Sequence, residues 1–394
     1  MPTHTPSRRI HGAAVRRLGM VSTYPPKLCG LATFAAALTN ALRDAGPRVD
    51  VVRINDGDEP AAIGQTVAGE LVNGSAPSVR HAAAILSRCE AVIIQHEYGI
   101  FGGDDGDEVL QLLDALDAPA IVVLHTVPLV PTDHQKTVLE AVCARAAKVV
   151  VMTETANTRL CSSYIVDPRG VEVVPHGAAL APGNGNGNGN ESTVGERPQL
   201  LTWGLLGPGK GIEHAIDSLA LLSDMRPRLR YTIAGVTHPK VFARAGDAYR
   251  NSLLRRTWSN GIAGSVHFDD TYRNVDQLTR FVASASLVLL PYDSKDQVTS
   301  GVLVDALAAG RPVIATAFPH AIELQASGAV KVVPHGDSAA LADAIRTVMS
   351  DPMVLNSMTV NARRLAPSLS WASVADEYLR LCTELDPIVE PVAI

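Results

Sequence analysis

Short β-branched apolar runs alternate with longer stretches of helical period over residues 18–174. The first unit of this pattern is the clearest. Residues 17–23 read as a buried strand and a Pro/Gly loop runs on to Gly30. Leu31, Phe34, Ala35, Leu38 and Leu42 then recur at the three-and-four spacing of an amphipathic helix. The same criterion predicts strands over 49–54, 91–95, 121–125, 149–152 and 171–174, with helical stretches between them. Strands that are apolar on both faces and separated by helices belong to parallel sheets covered on both sides.

After residue 198 the alternation restarts, with strands expected over 200–203, 230–234, 266–268, 287–290, 313–315 and 330–333. Between the two halves, residues 183–190 are a pure Gly-Asn repeat. Such a segment has nothing to bury and predicts a flexible linker. The expected organisation is therefore a basic tail (1–16), an N-terminal Rossmann-like domain (17–181), a linker (182–197), a second Rossmann-like domain (198–368) and a C-terminal helix with its tail (369–394). Trp371, Val374, Tyr378 and Leu381 give that helix an apolar stripe, expected to pack at the interdomain junction.

Composition narrows the function classes. A chain of 394 residues suits two domains, and 46% hydrophobic with 19% charged residues excludes extensive disorder. A net charge of -6 gives no broad basic surface for nucleic acid. The five cysteines, Cys29, Cys89, Cys143, Cys161 and Cys382, are scattered without metal or disulfide spacing, which fits reduced thiols. The apolar run after Arg8, Arg9, Arg16 and Arg17 reads as a strand rather than a signal-peptide core, and no run reaches the roughly 18 apolar residues of a membrane span. The expectation is a cytoplasmic protein, with peripheral membrane contact left open.

In open parallel sheets, ligands bind beyond the carboxyl ends of the strands, which singles out four loops. In Tyr24-Pro25-Pro26-Lys27-Leu28-Cys29-Gly30, the glycine serves either a tight turn or the approach of a phosphate to a helix start. In Gln95-His96-Glu97-Tyr98-Gly99-Ile100-Phe101, His96 and Glu97 either orient or exchange a proton with an acceptor, or act in capping. His125 and Thr126 end the next strand, where the histidine is a cleft residue or a structural one. The Gly204–Gly211 stretch holds Lys210 before a helix, either as a phosphate ligand or as a solvated turn lysine; Gly211 after it excludes a Walker loop. Last, Thr299, Ser300 and Gly301 cap a helix that carries Asp305, which either accepts hydrogen bonds from ribose hydroxyls or offsets the helix dipole.

Taken in order, these loops resemble family 4 of the retaining GT-B glycosyltransferases over about residues 18–381. Pro25 to Gly30 resembles the family's P-P-x-x-x-G loop, and His125-Thr126 its H-T pair. Residues 204–211 are similar to G-R-L-x-P-x-K-G, and 297–310 to an E-x7-E helix ending in A-x-G. Gln95 to Phe101 and Thr237-His238-Pro239 resemble a mannosyltransferase-like branch. The resemblance implies that Gly30 and Lys210 hold the donor diphosphate and that His125 sits beside the transferred sugar. It also implies that the backbone of Ser300, Gly301 and Val302 contacts sugar or phosphate and that Asp305 holds the ribose. Leu205 stands where the family has a diphosphate-binding arginine, Gln297 replaces the first glutamate, and Asp305 shortens the second.

The implied activity is transfer of a hexose, with a lean toward mannose, from a GDP- or UDP-linked donor to a glycan, lipid or small-molecule acceptor. No separate cofactor and no metal are expected. Lys210 is assigned most of the leaving-group stabilisation, with Lys295 as a stand-in for the absent arginine, and His125 and Gln297 complete the catalytic set. The alternative is a non-catalytic GT-B sugar-nucleotide-binding or scaffold protein. Another GT-B enzyme, an epimerase or a phosphorylase, ranks behind it, and a dinucleotide dehydrogenase last, because the first strand lacks G-x-G-x-x-G.

Overall fold

A computed structural model describes residues 15–27, 29–57, 66–181 and 197–385. Arg8, Arg9, Leu28 and the Gly-Asn repeat lie outside the described residues. The chain forms two compact units: Met1–Val151 with Asn157–Val174 and Val374–Ile394, and Met152–Ala156 with Pro175–Ser373.

The first unit runs β1 (Arg17–Ser22), α1 (Gly30–Asp44), β2 (Arg48–Asn55), β3 (Val67–Val72), α2 (Ala76–Leu86), β4 (Ala91–His96), α3 (Val109–Ala115), β5 (Ala120–Leu124), α4 (Asp133–Arg145), β6 (Lys148–Val151), α5 (Glu154–Ser163) and β7 (Val171–Val173). All strand pairs are parallel, in the order β3-β2-β1-β4-β5-β6-β7. The order reverses between β1 and β4, so the loops that leave their carboxyl ends lie at the topological switch point, where such sheets bind ligands. Residues 67–72 were not expected as a strand. Gly69 and Glu70 interrupt the apolar run, and only pairing with β2 recruits the segment into the sheet.

The second unit repeats the plan with one strand fewer: β8 (Gln199–Trp203), α6 (Ile212–Ala220), β9 (Arg230–Ala234), α7 (Pro239–Ala245), α8 (Ala248–Ser259), β10 (Val266–Asp269), α9 (Val275–Ala283), β11 (Leu287–Leu290), α10 (Gly301–Ala308), β12 (Val313–Thr316), α11 (Pro319–Gln325), β13 (Val330–Val333), α12 (Ser338–Ser350) and α13 (Pro352–Leu365). Its parallel order β10-β9-β8-β11-β12-β13 reverses between β8 and β11. The two-residue period of the strands divides the core into two layers. Leu201, Val288 and Leu290 pack with α10 on one face, and Leu200, Leu287 and Leu289 pack with α6 and α12 on the other. Each fully buried Leu or Val there is worth about 1.5 to 3 kcal/mol. The last helix, α14 (Trp371–Glu384), begins in the second unit and belongs to the first from Val374 onward.

Candidate functional site

In the second unit, the loops after β8 and β11 leave neighbouring strands at the switch point, and hydrogen bonding ties them together. The Asp293 N–H donates to the Gly209 carbonyl at 3.0 Å. Gly211 caps α6 at φ +60°, and a Cβ there would lie 1.7 Å from the Pro291 carbonyl oxygen, so the loops close only on a glycine. This approach sets Lys210 Nζ over the Tyr292 ring, 4.5 Å from its centroid. Burial lowers the lysine's pKa. Among the described residues the ammonium has no carboxylate partner, and the ring face is the contact that favours its charge.

Tyr292 links this cation to α10. It stacks on Phe318 at 5.4 Å, and burial pushes its phenol up, partly offset by the Ser300 hydroxyl beside it. Ser300 is the expected N-cap: its hydroxyl accepts the Leu303 N–H at 3.3 Å. Its own N–H donates to Nδ1 of buried His320 at 2.9 Å, so the Ser300 backbone donor expected to reach the ligand is already used. The Gly301 and Val302 N–H groups have no partner among the described residues. His176 closes the near side. Its Nδ1 donates to the Gly177 carbonyl at 2.7 Å, and Nε2 lies 2.9 Å from where a Gly301 Cβ would stand. Burial pushes both His176 and His320 down to about 4, so both rings are neutral.

Asp305 sits on α10, half-buried between buried Val304 and Ala306 and without an ion pair among the described residues. Desolvation raises its carboxyl to about 7. Gln297 donates from its amide to the Thr299 carbonyl at 3.1 Å and so braces the turn into α10. Leu205, in the arginine's position, is 37% exposed, and Lys295 is exposed on the β11 loop.

The fold also gathers Glu213, His214 and Asp293, whose ligand atoms lie within 4.8 Å of one another; no sequence spacing announced this group. One of the three has a partner outside the group, and the other two face each other. The Tyr249 hydroxyl donates to Glu213 at 2.8 Å, and His214 Nε2 lies 3.4 Å from Asp293.

In the first unit, Gly30 opens α1 at an exposed position where a Cβ would meet nothing within 4 Å. The Cys29 thiol caps this helix, accepting the Ala32 N–H at 3.3 Å. The β4 and β5 loops lie side by side and are cross-braced. His125 Nε2 is 2.7 Å from Gln95 Oε1, the His125 N–H donates to the His96 carbonyl at 3.1 Å, and the Thr126 hydroxyl donates to Glu97 at 2.5 Å. The Phe34 ring meets the His125 ring edge-on at 4.8 Å.

This bracing bears on the two residues expected on the acceptor side. Glu97, expected on the acceptor side, has its carboxylate engaged by Thr126 and by the Tyr98 N–H at 3.0 Å. His96, also expected there, is 0% exposed, and neither ring nitrogen has a partner among the described residues. Burial alone pushes it down to about 4, and its ring packs against Tyr98 and Phe101. Strand alternation is the reason: residues 95 and 97 point to one face of the sheet and residue 96 to the other. Sequence reasoning missed His176, His320 and Tyr292. The signal available to it was a histidine or tyrosine within two residues of a strand's carboxyl end, which Tyr292 satisfies.

Two doubly wound parallel sheets with polar loops at their switch points define the GT-B class of fold. Solved structures agree. Anabaena HepE in complex with UDP superposes with a TM-score of 0.73 at 18% identity, covering 94% of this chain and 100% of that one. An E. coli structure titled trehalose-6-phosphate bound with UDP-2-fluoro glucose gives 0.68 at 14%, covering 94% and 100%. The family described as "Glycosyltransferase Family 4" matches residues 29–181, and "Glycosyl transferases group 1" matches 189–365. Both halves of the chain thus match glycosyltransferase families. D-inositol 3-phosphate glycosyltransferases from Jonesia denitrificans and Rhodococcus jostii are 27% and 26% identical over 61% of this chain. The matched segments span 57% and 53% of those relatives' lengths.

Proposed function

We propose that this protein transfers a hexose from a nucleotide-diphosphate sugar to an acceptor hydroxyl with retention of anomeric configuration, the second unit holding the donor. One observation carries the reading: a desolvated ammonium, Lys210, has no counter-anion among the described residues and is joined through Tyr292 to a helix start with two unused N–H donors. A diphosphate is the ligand whose charge and acceptor oxygens match both. A helix terminus alone contributes about 0.3 to 1 kcal/mol, at most about 2, toward one anion. Removing one donor aimed at developing charge in a water-excluded site costs about 2.7 to 4 kcal/mol. Lys210 is therefore assigned most of the stabilisation of the departing diphosphate.

Asp305, four residues along α10 from Gly301, is the acceptor for ribose hydroxyls. Those donors would favour its ionised form, which the empty helix face disfavours. Uridine is favoured over guanine as the base because the structural neighbours named above carry UDP or a UDP-sugar. The relatives found give mannose no support, so the sugar is left as a hexose. The acceptor is a glycan, lipid or small molecule, with inositol phosphate the first to test because the curated relatives are named for it. No helix among the described residues is long and apolar enough to cross a membrane, and a cytoplasmic location with peripheral membrane contact stays part of the proposal. Metal is not required, since Lys210 supplies the cation and the Glu213, His214 and Asp293 side chains serve one another and Tyr249.

A thermal-shift screen of UDP-, GDP- and ADP-sugars tests the donor assignment, because a ligand that binds only the folded form raises its stability. A rise with UDP-sugars is expected, and no response to any nucleotide would refute the site. Leu205 and neutral Gln297, where the family carries charge, favour a second reading as a non-catalytic binding protein. Saturable UDP binding with neither transfer nor donor hydrolysis across an acceptor panel that includes inositol phosphate would select it.

A further inference from the structure

We infer that Gln95 is a positioning residue that fixes the proton of His125 on Nε2 and so leaves Nδ1 as the ring's accepting nitrogen. Gln95 is 0% exposed, and its side-chain amide has two neighbours of opposite character. Its Nε2 is 3.6 Å from Met20 Sδ, and its Oε1 is 2.7 Å from His125 Nε2. A thioether sulfur has no hydrogen to give and only accepts, weakly. The amide NH₂ therefore faces the sulfur, because the reverse placement would set the carbonyl oxygen against the sulfur lone pairs in a buried site. With the carbonyl oxygen turned to His125, the ring nitrogen opposite must donate, and the neutral imidazole carries its hydrogen on Nε2.

The rest of the ring is held as firmly. Phe34 stands edge-on to it at 4.8 Å, the His125 N–H is bound to the His96 carbonyl, and Thr126 is tethered to Glu97. Met20, on β1, thus sets the amide of Gln95 on β4, which sets the ring of His125 after β5. Three adjacent strands pass one orientation along. The consequence for turnover rests on the transfer reaction proposed above, whereas the position of the proton does not.

The test uses the full chain labelled with ¹⁵N-histidine, with the His125 signals assigned by their loss in His125→Asn. Two-bond ¹H–¹⁵N spectra at pH 8 are expected to show Nε2 protonated and Nδ1 bare. A wild-type ring with the hydrogen on Nδ1 overturns the inference. Met20→Leu keeps the apolar volume but removes the sulfur, and is expected to give a mixture of tautomers; an unchanged spectrum counts against the relay. With UDP-glucose as donor, Gln95→Leu is expected to lower kcat by about 10- to 100-fold while KM for the donor moves by less than about 2-fold, as for a lost orientation rather than a lost contact.

If Gln95→Leu does not fold, Gln95→Glu preserves the side chain's length and puts a carboxylate beside Nε2. The acid limb of its kcat/KM profile should then move up by about one pH unit or more, and an unmoved limb refutes the positioning role. A wild-type protein with the expected tautomer and no transfer activity would sink the proposed reaction and leave the position of the proton intact.

Discussion

Asp305→Asn separates stability from function in a way that can be worked through from the structure. The folded-state carboxyl is raised from 3.8 to about 7 by desolvation alone. Each unit corresponds to about 1.36 kcal/mol, so full conversion would give about 4 kcal/mol of destabilisation above pH 7. Asp305 is only half-buried, and solvent screening of the exposed part cuts this to on the order of 2 kcal/mol.

The sign follows from proton counts. Between pH 4 and 7 the unfolded chain is ionised at this position while the folded chain holds a proton, so stability from this group is full below about pH 4 and falls as pH rises to about 7. His96, His176 and His320, all pushed down to about 4, act in the opposite direction over the same range. The difference between variant and wild type isolates Asp305. Differential scanning fluorimetry from pH 4 to 8 should show Asp305→Asn melting within about 1 °C of wild type at pH 4, and about 4 to 8 °C higher at pH 8, at about 2 to 4 °C per kcal/mol for a unit of this size. The same variant should bind UDP about 10-fold more weakly, having lost a charged acceptor for the ribose. A variant less stable than wild type at every pH would mean that the carboxylate is paired in the folded protein, and the reasoning would fail.

Three further outcomes are expected. Lys210→Ala should lower turnover roughly 100-fold and abolish the thermal response to UDP; an unchanged rate would remove the lysine from the mechanism. Gly211→Ala, whose Cβ would lie 1.7 Å from the Pro291 carbonyl oxygen, should destabilise the second unit by more than about 2 kcal/mol in urea unfolding, and a wild-type midpoint would show that the loop gives way freely. Excess EDTA should leave turnover unimpaired, whereas abolition with recovery on adding Mg²⁺ would make Glu213, His214 and Asp293 a working metal site.

Much of the framework was legible in the linear chain. The segments 230–234, 287–290 and 330–333 are strands within the very limits their pattern predicts, and residues 287–290, buried on both faces, are apolar without interruption. The helix start at Ser300 was equally local, since an N-cap acts on N–H groups two and three residues away. What one residue does to another far along the chain was not legible. Gln95 and His125 are 30 positions apart, as are Glu97 and Thr126 within one residue, and only the parallel register of β4 and β5 brings these strand ends side by side. That register assigned Glu97 to bracing and sent His96 into the core.

The donor loops divide in the same way. Lys210 and Ser300 could each be singled out from the chain, one as a cation before a helix and the other as a cap. That Tyr292 stands between them, that His320 takes the Ser300 N–H and that the His176 ring lies against Gly301 were decided by packing. Periodicity and capping depend on neighbours a few bonds away, and so are written in the sequence. The partner of a buried polar group depends on which strands lie side by side, and that is settled only when the whole sheet closes around it.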